Sequence, residues 1–375
     1  MAQAVAVEAW AAQAVRVGDV VAALDQLRRR RLHHSLTRTA VMTLIAVVAT
    51  DDGEEAANQA VHALGAHHPA RVVMLCADPD QAAALDARAE LYRIEGDRPG
   101  GPDRDGPDQG GPDRGGPDRG GPDPGGPDPG GPDPGGPGAS GPDPGGPGAN
   151  AYFEEITLSV GGQAALHLDS LVEPFTLADL PVVVWYVDAL PDPADPLLAV
   201  ADAVLVDSRD AEGLDLRRLL ELASRRSVVD LSWMRLEPAR SLLASLFDPP
   251  AFRPFAAAAT SATVRGKPGP RHLLGGWLSA QLDLPPRQVE LVDARHIGIT
   301  IETALAGDLA TFEIGRLESG HTLWAAATVA SGPSPRQILP LPDDRLPAWL
   351  ALALTRLHSD GIWERALSAA GSLGV

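Results

Sequence analysis

The chain has 375 residues, of which 50 are acidic and 31 basic, and its formal net charge is −19. An acidic surface repels phosphate backbones, so this composition argues against a nucleic-acid partner. Cys76 is the only cysteine, which excludes an intramolecular disulfide. No apolar run approaches the roughly 18 residues that span a bilayer, and the N-terminus has no basic leader, so we expect a soluble, cytoplasmic protein without a membrane partner.

The first 80 residues have the hydrophobic periods of a β-α-β unit. An amphipathic helix is predicted before a strand at 39–48. Asp51 or Asp52 then caps a second helix that closes at Pro69, and Val72–Cys76 forms the next strand. The apolar stripes of these helices are Val17, Val20, Val21, Leu24 and Leu27 in the first, and Ala57, Ala60, Val61 and Leu64 in the second.

Residues 101–150 are ten tandem pentapeptides that begin with Gly-Pro, four of them Gly-Pro-Asp-Pro-Gly, and they contain nine aspartates and three arginines. Such a segment offers a core almost nothing to bury, so we predict a disordered loop at 98–150. The flanking segments 88–94 and 156–160 have the pattern of strands, the second with apolar residues at every other position. The repeats are therefore predicted to be an enlarged hairpin loop inside one domain.

Two short apolar runs, Pro181–Val187 and Ala203–Val206, are typical of parallel strands that are covered on both faces. Asp195 and Pro196 begin a helical turn between them. A helix with an apolar stripe at 216–223 then leads to a strand at 228–231, which repeats the β-α-β unit. We predict an α/β domain with a mixed, largely parallel sheet and flanking helices, to which the two hairpin strands make an antiparallel addition.

The breaker sequence Asp248-Pro249-Pro250 follows a helical stretch and marks the predicted boundary between an α/β domain at 1–248 and a smaller α+β domain at 251–375. The second domain is expected to contain an antiparallel meander with helices on either side of it in the sequence. Its strands are predicted at 289–292, 296–301, 310–315 and 323–329, and its helices at 272–282, 346–357 and 362–370.

Motifs for nucleotide and acyl chemistry are missing from the sequence. Gly266-Lys267 is followed by Pro268 and makes no P-loop, no G-x-G-x-x-G follows a predicted strand, and there is no G-x-S-x-G elbow. Metal-ligating side chains occur near one another at His62, His67, His68 and Cys76. Their spacing does not fit a zinc site, so we predict no catalytic residue, no cofactor and no metal.

Two groups of residues are candidates for contact with an anion or a protein partner. They are Asp207, Ser208 and Arg209 in the first group, and Arg265, Lys267 and Arg271 in the second. The first group follows a predicted parallel strand, at the edge where open α/β sheets bind ligands, and its alternative role is to cap the next helix. The second group concentrates positive charge before a helix N-terminus, and its alternative role is a solvated connector.

Four segments of the chain resemble the glucose-6-phosphate dehydrogenase assembly proteins of the OpcA family. They are RTAVMTLIAVVA at 38–49, SLVEPFTLADLPVVVWY at 170–186, the continuation to Arg209, and GGWLSAQL at 275–282. The resemblance covers roughly 15–95 and 152–370, and similar sequences have a much shorter connection where this chain has its repeats. Some members are linked to cysteine-based redox control, for which this chain has only Cys76.

The resemblance implies a non-catalytic protein that binds glucose-6-phosphate dehydrogenase and favours its active oligomer in the oxidative pentose phosphate pathway. The family offers no agreed active residues to carry over. A contact surface is expected in the second domain, near Trp277, Trp349 and Trp363. The alternative is a sensor or enzyme that binds a sugar phosphate or a nucleotide at the candidate anion residues. In a third reading, the acidic repeats are themselves a docking segment.

Overall fold

A computed structural model describes residues 3–32, 40–64, 70–95, 152–318, 320–330, 332–342 and 344–373. These residues form two mixed sheets, of eight and six strands, with helices packed against them. The mixed α/β content predicted from the sequence is therefore confirmed, while the repeat segment at 98–150, His67 and His68 lie outside the described residues.

The first sheet has a parallel majority and an antiparallel edge. Its strands are β1 (Gln3–Ala12), β2 (Met42–Val48), β3 (Ala70–Asp78), β4 (Leu85–Glu95), β5 (Tyr152–Gly161), β6 (Val182–Tyr186), β7 (Ala203–Val206) and β8 (Ser227–Asp230), in the spatial order β1-β4-β5-β3-β2-β6-β7-β8. All neighbours from β5 to β8 are parallel, whereas β1-β4 and β4-β5 are antiparallel. Strand β1 was not predicted, because its alanines do not favour a strand.

Helices connect and cover these strands. They are α1 (Val17–Leu32), α2 (Asp51–Leu64), α3 (Leu168–Val172), α4 (Leu214–Ala223), α5 (Leu231–Arg235) and α6 (Glu237–Leu246). Both predicted β-α-β units, β2-α2-β3 and β7-α4-β8, are present with parallel strands. A short 3₁₀ turn at Pro196–Ala199 lies between β6 and β7, and the Asp195 side chain caps it.

The predicted hairpin around the repeats is confirmed. Strands β4 and β5 pair in antiparallel register from Leu85 opposite Val160 to Arg93 opposite Tyr152. Strand β5 also pairs with β3, so the hairpin is an integral part of the sheet. Residues 96–151 therefore connect two neighbouring strands of one sheet.

The second sheet consists of β9 (Ala259–Gly266), β10 (Val289–Asp293), β11 (Gly298–Leu305), β12 (Asp308–Arg316), β13 (Thr322–Val329) and β14 (Arg336–Pro340), in the order β10-β9-β11-β12-β13-β14. The remaining helices are α7 (Arg253–Ala256), α8 (Pro268–Leu282), α9 (Leu346–Leu354) and α10 (Gly361–Ala370). The predicted antiparallel meander is confirmed for β11, β12 and β13, and β14 extends it. The expected place of β10 next to β11 is wrong, because β9 lies between them and pairs in parallel with β10.

Helix α9 corrects the predicted arrangement of the second domain. It packs against α2 and α5, over the face of the first sheet that contains Leu44 and Trp185, and it does not cover the second sheet. Every residue from Leu346 to Leu354 is apolar, so this helix must be buried on most sides. One continuous hydrophobic cluster also includes residues of both sheets. The boundary between 248 and 251 stays a prediction.

The end of β8 is fixed by one buried carboxylate. Asp230 is 3% exposed and accepts four hydrogen bonds. The Ser208 amide and hydroxyl donate at 3.1 and 2.6 Å, the Ser232 amide at 3.0 Å, and the Trp363 indole N–H at 3.2 Å. These donors belong to the end of β7, to α5 and to α10, so a single side chain joins three elements. We call this set the Asp230 hub.

Burial raises the pKa of Asp230 to about 6, although the hydrogen bond from the Ser208 hydroxyl acts to lower it. The neighbouring carboxylate of Asp207 contributes to the increase. In the unfolded chain an aspartate has a pKa of about 3.9. The native state therefore binds this proton at a higher pH than the unfolded state does, and protonation stabilises the fold between about pH 4 and pH 6.

Deleting residues 101–150 should leave the fold intact. Shortening a loop about tenfold reduces the entropy cost of closing it by only about 2 kcal/mol, so the free energy of unfolding should rise by at most that amount. Circular dichroism and thermal melting of the deletion variant test this expectation. A lost transition, or a melting temperature that falls by more than about 5 °C, contradicts it.

Replacing Asp230 with asparagine should change how stability depends on pH. In the native protein, this carboxyl lowers the free energy of unfolding as pH rises from about 4 to 6, by up to about 1.4 kcal/mol per pH unit. Asp230→Asn removes that contribution, so the stability difference between native and variant proteins should be larger at pH 4.5 than at pH 7. Urea unfolding at several pH values measures it.

The matched control is Asp210→Asn, which alters an exposed aspartate. Its pH profile should run parallel to that of the native protein. An Asp230→Asn profile that is also parallel to the native one contradicts the role assigned to this carboxyl.

Candidate functional site

A cavity of about 340 Å³ opens where the carboxyl end of β7 meets the second sheet. Five cationic side chains line it: Arg209, Arg235, Lys267, Arg295 and Arg316. One carboxylate, Asp344, is among the lining residues. We call this space the cationic cavity. Its first part comes from the segment after β7 and from α5, α6 and α9. The rest comes from the start of α8, the β10–β11 connection, the paired ends of β12 and β13, and the segment after β14.

The cavity brings one member of each predicted candidate group to the same place. Arg209 follows β7, and Lys267 lies between β9 and α8. The Gly269 amide at the start of α8 donates to the Arg209 carbonyl at 3.1 Å. A Cβ on Gly269 would overlap the Ser208 carbonyl oxygen, so only glycine permits this approach. Two candidates that are about 60 residues apart in the sequence therefore meet through a backbone contact.

Asp207 neutralises the deepest cation of the cavity. The Arg235 guanidinium donates to Asp207 Oδ2 at 2.7 Å, the Ser232 hydroxyl donates to Oδ1, and Arg209 lies 3.5 Å from Oδ2. Burial alone would raise the pKa of Asp207, but Arg235 and Ser232 outweigh it and hold the pKa below its ordinary value. Asp207 is therefore ionised at neutral pH and holds Arg235 in position.

The other candidate residues have structural or peripheral positions. Ser208 is fully buried and its hydroxyl donates a hydrogen bond to Asp230, so it cannot reach a ligand. It does not cap α4 either, since that helix begins after Gly213 without a side-chain cap. Arg265 is exposed and contacts Thr300 at 3.3 Å, outside the cavity lining. Arg271 forms an ion pair with Asp293 at 2.7 Å.

The N-terminus of α8 has few amides to offer an anion. Pro268 and Pro270 have no N–H, and the Gly269 amide is already bound to Arg209. Any anion in the cavity must therefore be held by side chains. This makes the guanidinium groups and Lys267 the relevant donors.

The cavity also contains lining residues that the sequence did not indicate as anion contacts: Arg235, Arg295, Arg316 and Trp349. Among the described residues, Lys267, Arg295 and Arg316 have no carboxylate partner within 4 Å. In the same part of the chain, the Nε atoms of Arg235 and Arg316 and the indole N–H of Trp349 are buried without a hydrogen-bond partner. The cavity thus contains unused donors as well as excess positive charge.

The tryptophans proposed as a contact surface are largely internal. Trp349 and Trp363 are 7% and 1% exposed, so neither can form a protein interface in this conformation. Trp363 donates to Asp230, and Trp349 belongs to the apolar helix α9. Trp277 is half-buried. The indoles of Trp349 and Trp363 are therefore internal, and the expected contact surface on the helices around these tryptophans stays a prediction.

The edge where a doubly wound sheet commonly binds phosphates is acidic in this chain. Strands β2 and β6 are neighbours whose chain connections leave in opposite directions, which is the topological switch point. There Asp188 accepts hydrogen bonds from the Ala49 amide and the Thr50 hydroxyl, beside the acidic first turn of α2. A phosphate would meet several carboxylates at this position.

The thiol near this edge is poorly suited to reaction. Burial and the nearby Glu54 carboxylate raise the pKa of Cys76 to about 12. A thiol with that pKa is protonated at neutral pH, and thiols react as thiolates.

Of the metal-ligating side chains that lie near one another in the sequence, the structure describes His62 and Cys76. His62 lies 3.0 Å from a carboxylate oxygen of Glu155, and its ring centroid is 4.4 Å from that of Tyr92 with the two planes tilted by 44°. Within the described ranges, no group of three His, Cys, Asp or Glu side chains is arranged to hold a metal ion. In the same ranges, no helix is both long enough and apolar enough to cross a bilayer.

Two family models match consecutive parts of the chain. The glucose-6-phosphate dehydrogenase subunit N-terminal domain matches residues 143–224, and the corresponding C-terminal domain matches residues 226–367. A comparison with curated proteins gives no significant match. The two matches together span well over half of the chain and meet at residue 225, just before β8. The chain therefore belongs to the OpcA family of glucose-6-phosphate dehydrogenase assembly proteins.

Proposed function

We propose that this protein is a non-catalytic assembly and activation factor that binds glucose-6-phosphate dehydrogenase and favours its active oligomer. It would act in the cytoplasm, in the oxidative pentose phosphate pathway. The observation that carries this proposal is the pair of family matches, both of which are described as domains of a subunit of that dehydrogenase.

In the described residues, buried carboxylates are bound by other groups of the protein, which supports a non-catalytic role. A general acid or base must reach a substrate, directly or through water. Here Glu154 is bound by Arg28 and Arg71, Glu155 lies against His62, and Asp230 is enclosed by its four donors. Each of these side chains is 3% exposed and is engaged in contacts that stabilise the fold.

Activation can follow from binding alone. A protein that binds one oligomeric or conformational state of the dehydrogenase more tightly shifts the population toward that state. A tenfold preference corresponds to about 1.4 kcal/mol, and a 1:99 equilibrium needs about 10⁴-fold to be reversed. No chemical step by the assembly factor is required.

The basic strip formed by the exposed Arg265 and Lys267 and the half-buried Arg271 is our candidate for the contact with the dehydrogenase. Arg265 and Lys267 are exposed at the end of β9, whereas Arg271 is partly engaged by Asp293. In a chain of net charge −19, such a strip is a local exception to the acidic surface. It suits an acidic patch on a partner, and charge complementarity of this kind mainly affects the association rate.

Adding an excess of this protein to the dehydrogenase of the same organism should raise the enzyme's activity. The two proteins should also elute together from a size-exclusion column, or the dehydrogenase should shift to a larger assembly, because binding stabilises one oligomer. Activity assays and elution volumes with and without the protein measure this. An unchanged activity with unchanged elution contradicts the proposed function.

Charge reversal in the basic strip should weaken activation. We expect Lys267→Glu combined with Arg271→Glu to raise the concentration that gives half-maximal activation by about three- to tenfold, more at low salt than at high salt. Titration of the dehydrogenase with each variant measures this concentration. Arg287→Glu makes the same charge change at an exposed position outside the strip and should have little effect. Equal activation by all variants removes the strip from the interface.

A further inference from the structure

The cationic cavity concentrates positive charge in a strongly acidic chain. Its lining provides five cations and Asp344, and Asp207 lies just behind Arg235. Counting these seven groups leaves an excess of three positive charges, whereas the whole chain carries −19. Like charges that face one cavity repel each other, so an anion bound among them relieves that repulsion.

Several donors of the cavity have no hydrogen-bond acceptor among the described residues. Lys267, Arg295 and Arg316 have no carboxylate partner among the described residues. The Trp349 side chain is more than nine-tenths buried, and its indole N–H has no acceptor in the described part of the chain. The buried Nε atom of Arg316 likewise has no acceptor there, whereas that of Arg235 has no hydrogen-bond partner but lies 3.8 Å from Asp344 Oδ1. Buried donors without an acceptor are costly, and a ligand with several oxygens can satisfy more than one of them.

The remaining lining indicates the kind of anion. The volume of about 340 Å³ is that of a small-molecule site. Leu236, Ile297, Leu323 and Leu341 form an apolar wall, and the Asp344 carboxylate can accept hydrogen bonds from hydroxyl groups. Several guanidinium groups around one space suit a phosphate dianion, whose three oxygens accept charge-assisted hydrogen bonds from different directions.

We propose that the cationic cavity binds a small phosphorylated polyol of the sugar-phosphate class. Its phosphate group lies among Lys267, Arg295 and Arg316, and its hydroxyl-bearing part lies toward Asp344 and the apolar wall. Arg235, which is held in place by Asp207, adds its positive charge to the lining. This binding is a property of the chain alone and does not depend on the proposed activation of the dehydrogenase.

The site also connects elements that are far apart in the sequence. Arg295 lies between β10 and β11, Arg316 ends β12, and Trp349 is in α9, which packs on the first sheet. A ligand in contact with these residues would bridge the first and second sheets. Since it binds only the folded state, it must raise the melting temperature.

Isothermal titration calorimetry and thermal melting of the full chain test the proposal, with glucose 6-phosphate and 6-phosphogluconate as probes. We expect saturable binding and a melting temperature at least about 2 °C higher at saturation. Glucose should not bind, because it lacks the phosphate, and inorganic phosphate should bind at least about tenfold more weakly, because it lacks the polyol. Equal affinity for inorganic phosphate and the sugar phosphates overturns the assignment of ligand class.

Charge reversal at the cavity provides the residue-level test. Arg295→Glu and Arg316→Glu should each weaken binding of the sugar phosphates by about tenfold or more, whereas Arg287→Glu, which lies outside the cavity, should leave the affinity unchanged. Arg316→Gln removes the charge with less steric change and should have a smaller effect in the same direction. Binding that is absent from the native chain, or unaffected by all the cavity variants, overturns the proposal.

The outcome is separable from that of the proposed function. Ligand binding is measured without the dehydrogenase, and activation is measured without added effector. A chain that activates the enzyme but binds none of the probes retains the proposed function and loses this inference. A chain that binds the probes through Arg295 and Arg316 but does not activate the enzyme retains this inference and loses the proposed function.

Discussion

The buried carboxylate of Asp230 joins the part of the chain that matches the N-terminal family model to the part that matches the C-terminal one. Its four hydrogen bonds hold the end of β7, the start of α5 and the indole of α10 at fixed positions relative to β8. Four donors to one carboxylate offset the cost of removing its charge from water, but burial still dominates, since the pKa is raised to about 6. The chain thus keeps a costly charge at the point where its elements meet.

The position of the cationic cavity follows from that hub. Because Ser208 is bound to Asp230, its neighbours Asp207 and Arg209 project from a fixed strand end. Asp207 then orients Arg235, and the Gly269 amide fastens α8 and Lys267 to the Arg209 carbonyl. Each step uses a buried or half-buried contact, so the cations are positioned by the fold. Arrangement of a site by rigid elements is what selective binding requires.

The sequence predicted the elements with strong periodicity and the contacts between consecutive ones. The structure confirms the parallel pairs β2-β3 and β7-β8, whose apolar runs are separated by a helical pattern. It also confirms the hairpin β4-β5, whose strand patterns are separated by turn residues. Strands β1 and β9 were missed because alanine and small polar residues dominate them, and only pairing with a neighbour makes them strands.

The residues of the site are brought together by tertiary packing, which the sequence alone could not show. Helix α9 is apolar on every side, which requires burial but does not say against which surface. Arg295 and Arg316 are isolated arginines in the sequence, and nothing local distinguishes them from solvated surface residues. Their convergence with Lys267 depends on how the second sheet is placed beside β7. Only Arg209 and Lys267 had a local signal, as charged residues at a strand end and a helix start.

Charge is distributed unequally over the two places on the first sheet where a ligand could bind, which are the switch point between β2 and β6 and the end of β7. In open sheets of this topology, ligands commonly bind at the switch point, beyond the carboxyl ends of the strands. Here that crevice is occupied by Asp188, which binds the Ala49 amide and the Thr50 hydroxyl and repels anions. Positive charge is found instead beyond β7, where the second sheet supplies three of the five cations. Recognition of anions by this chain therefore requires both sheets, and the addition of the second sheet creates a site that the first sheet alone does not have.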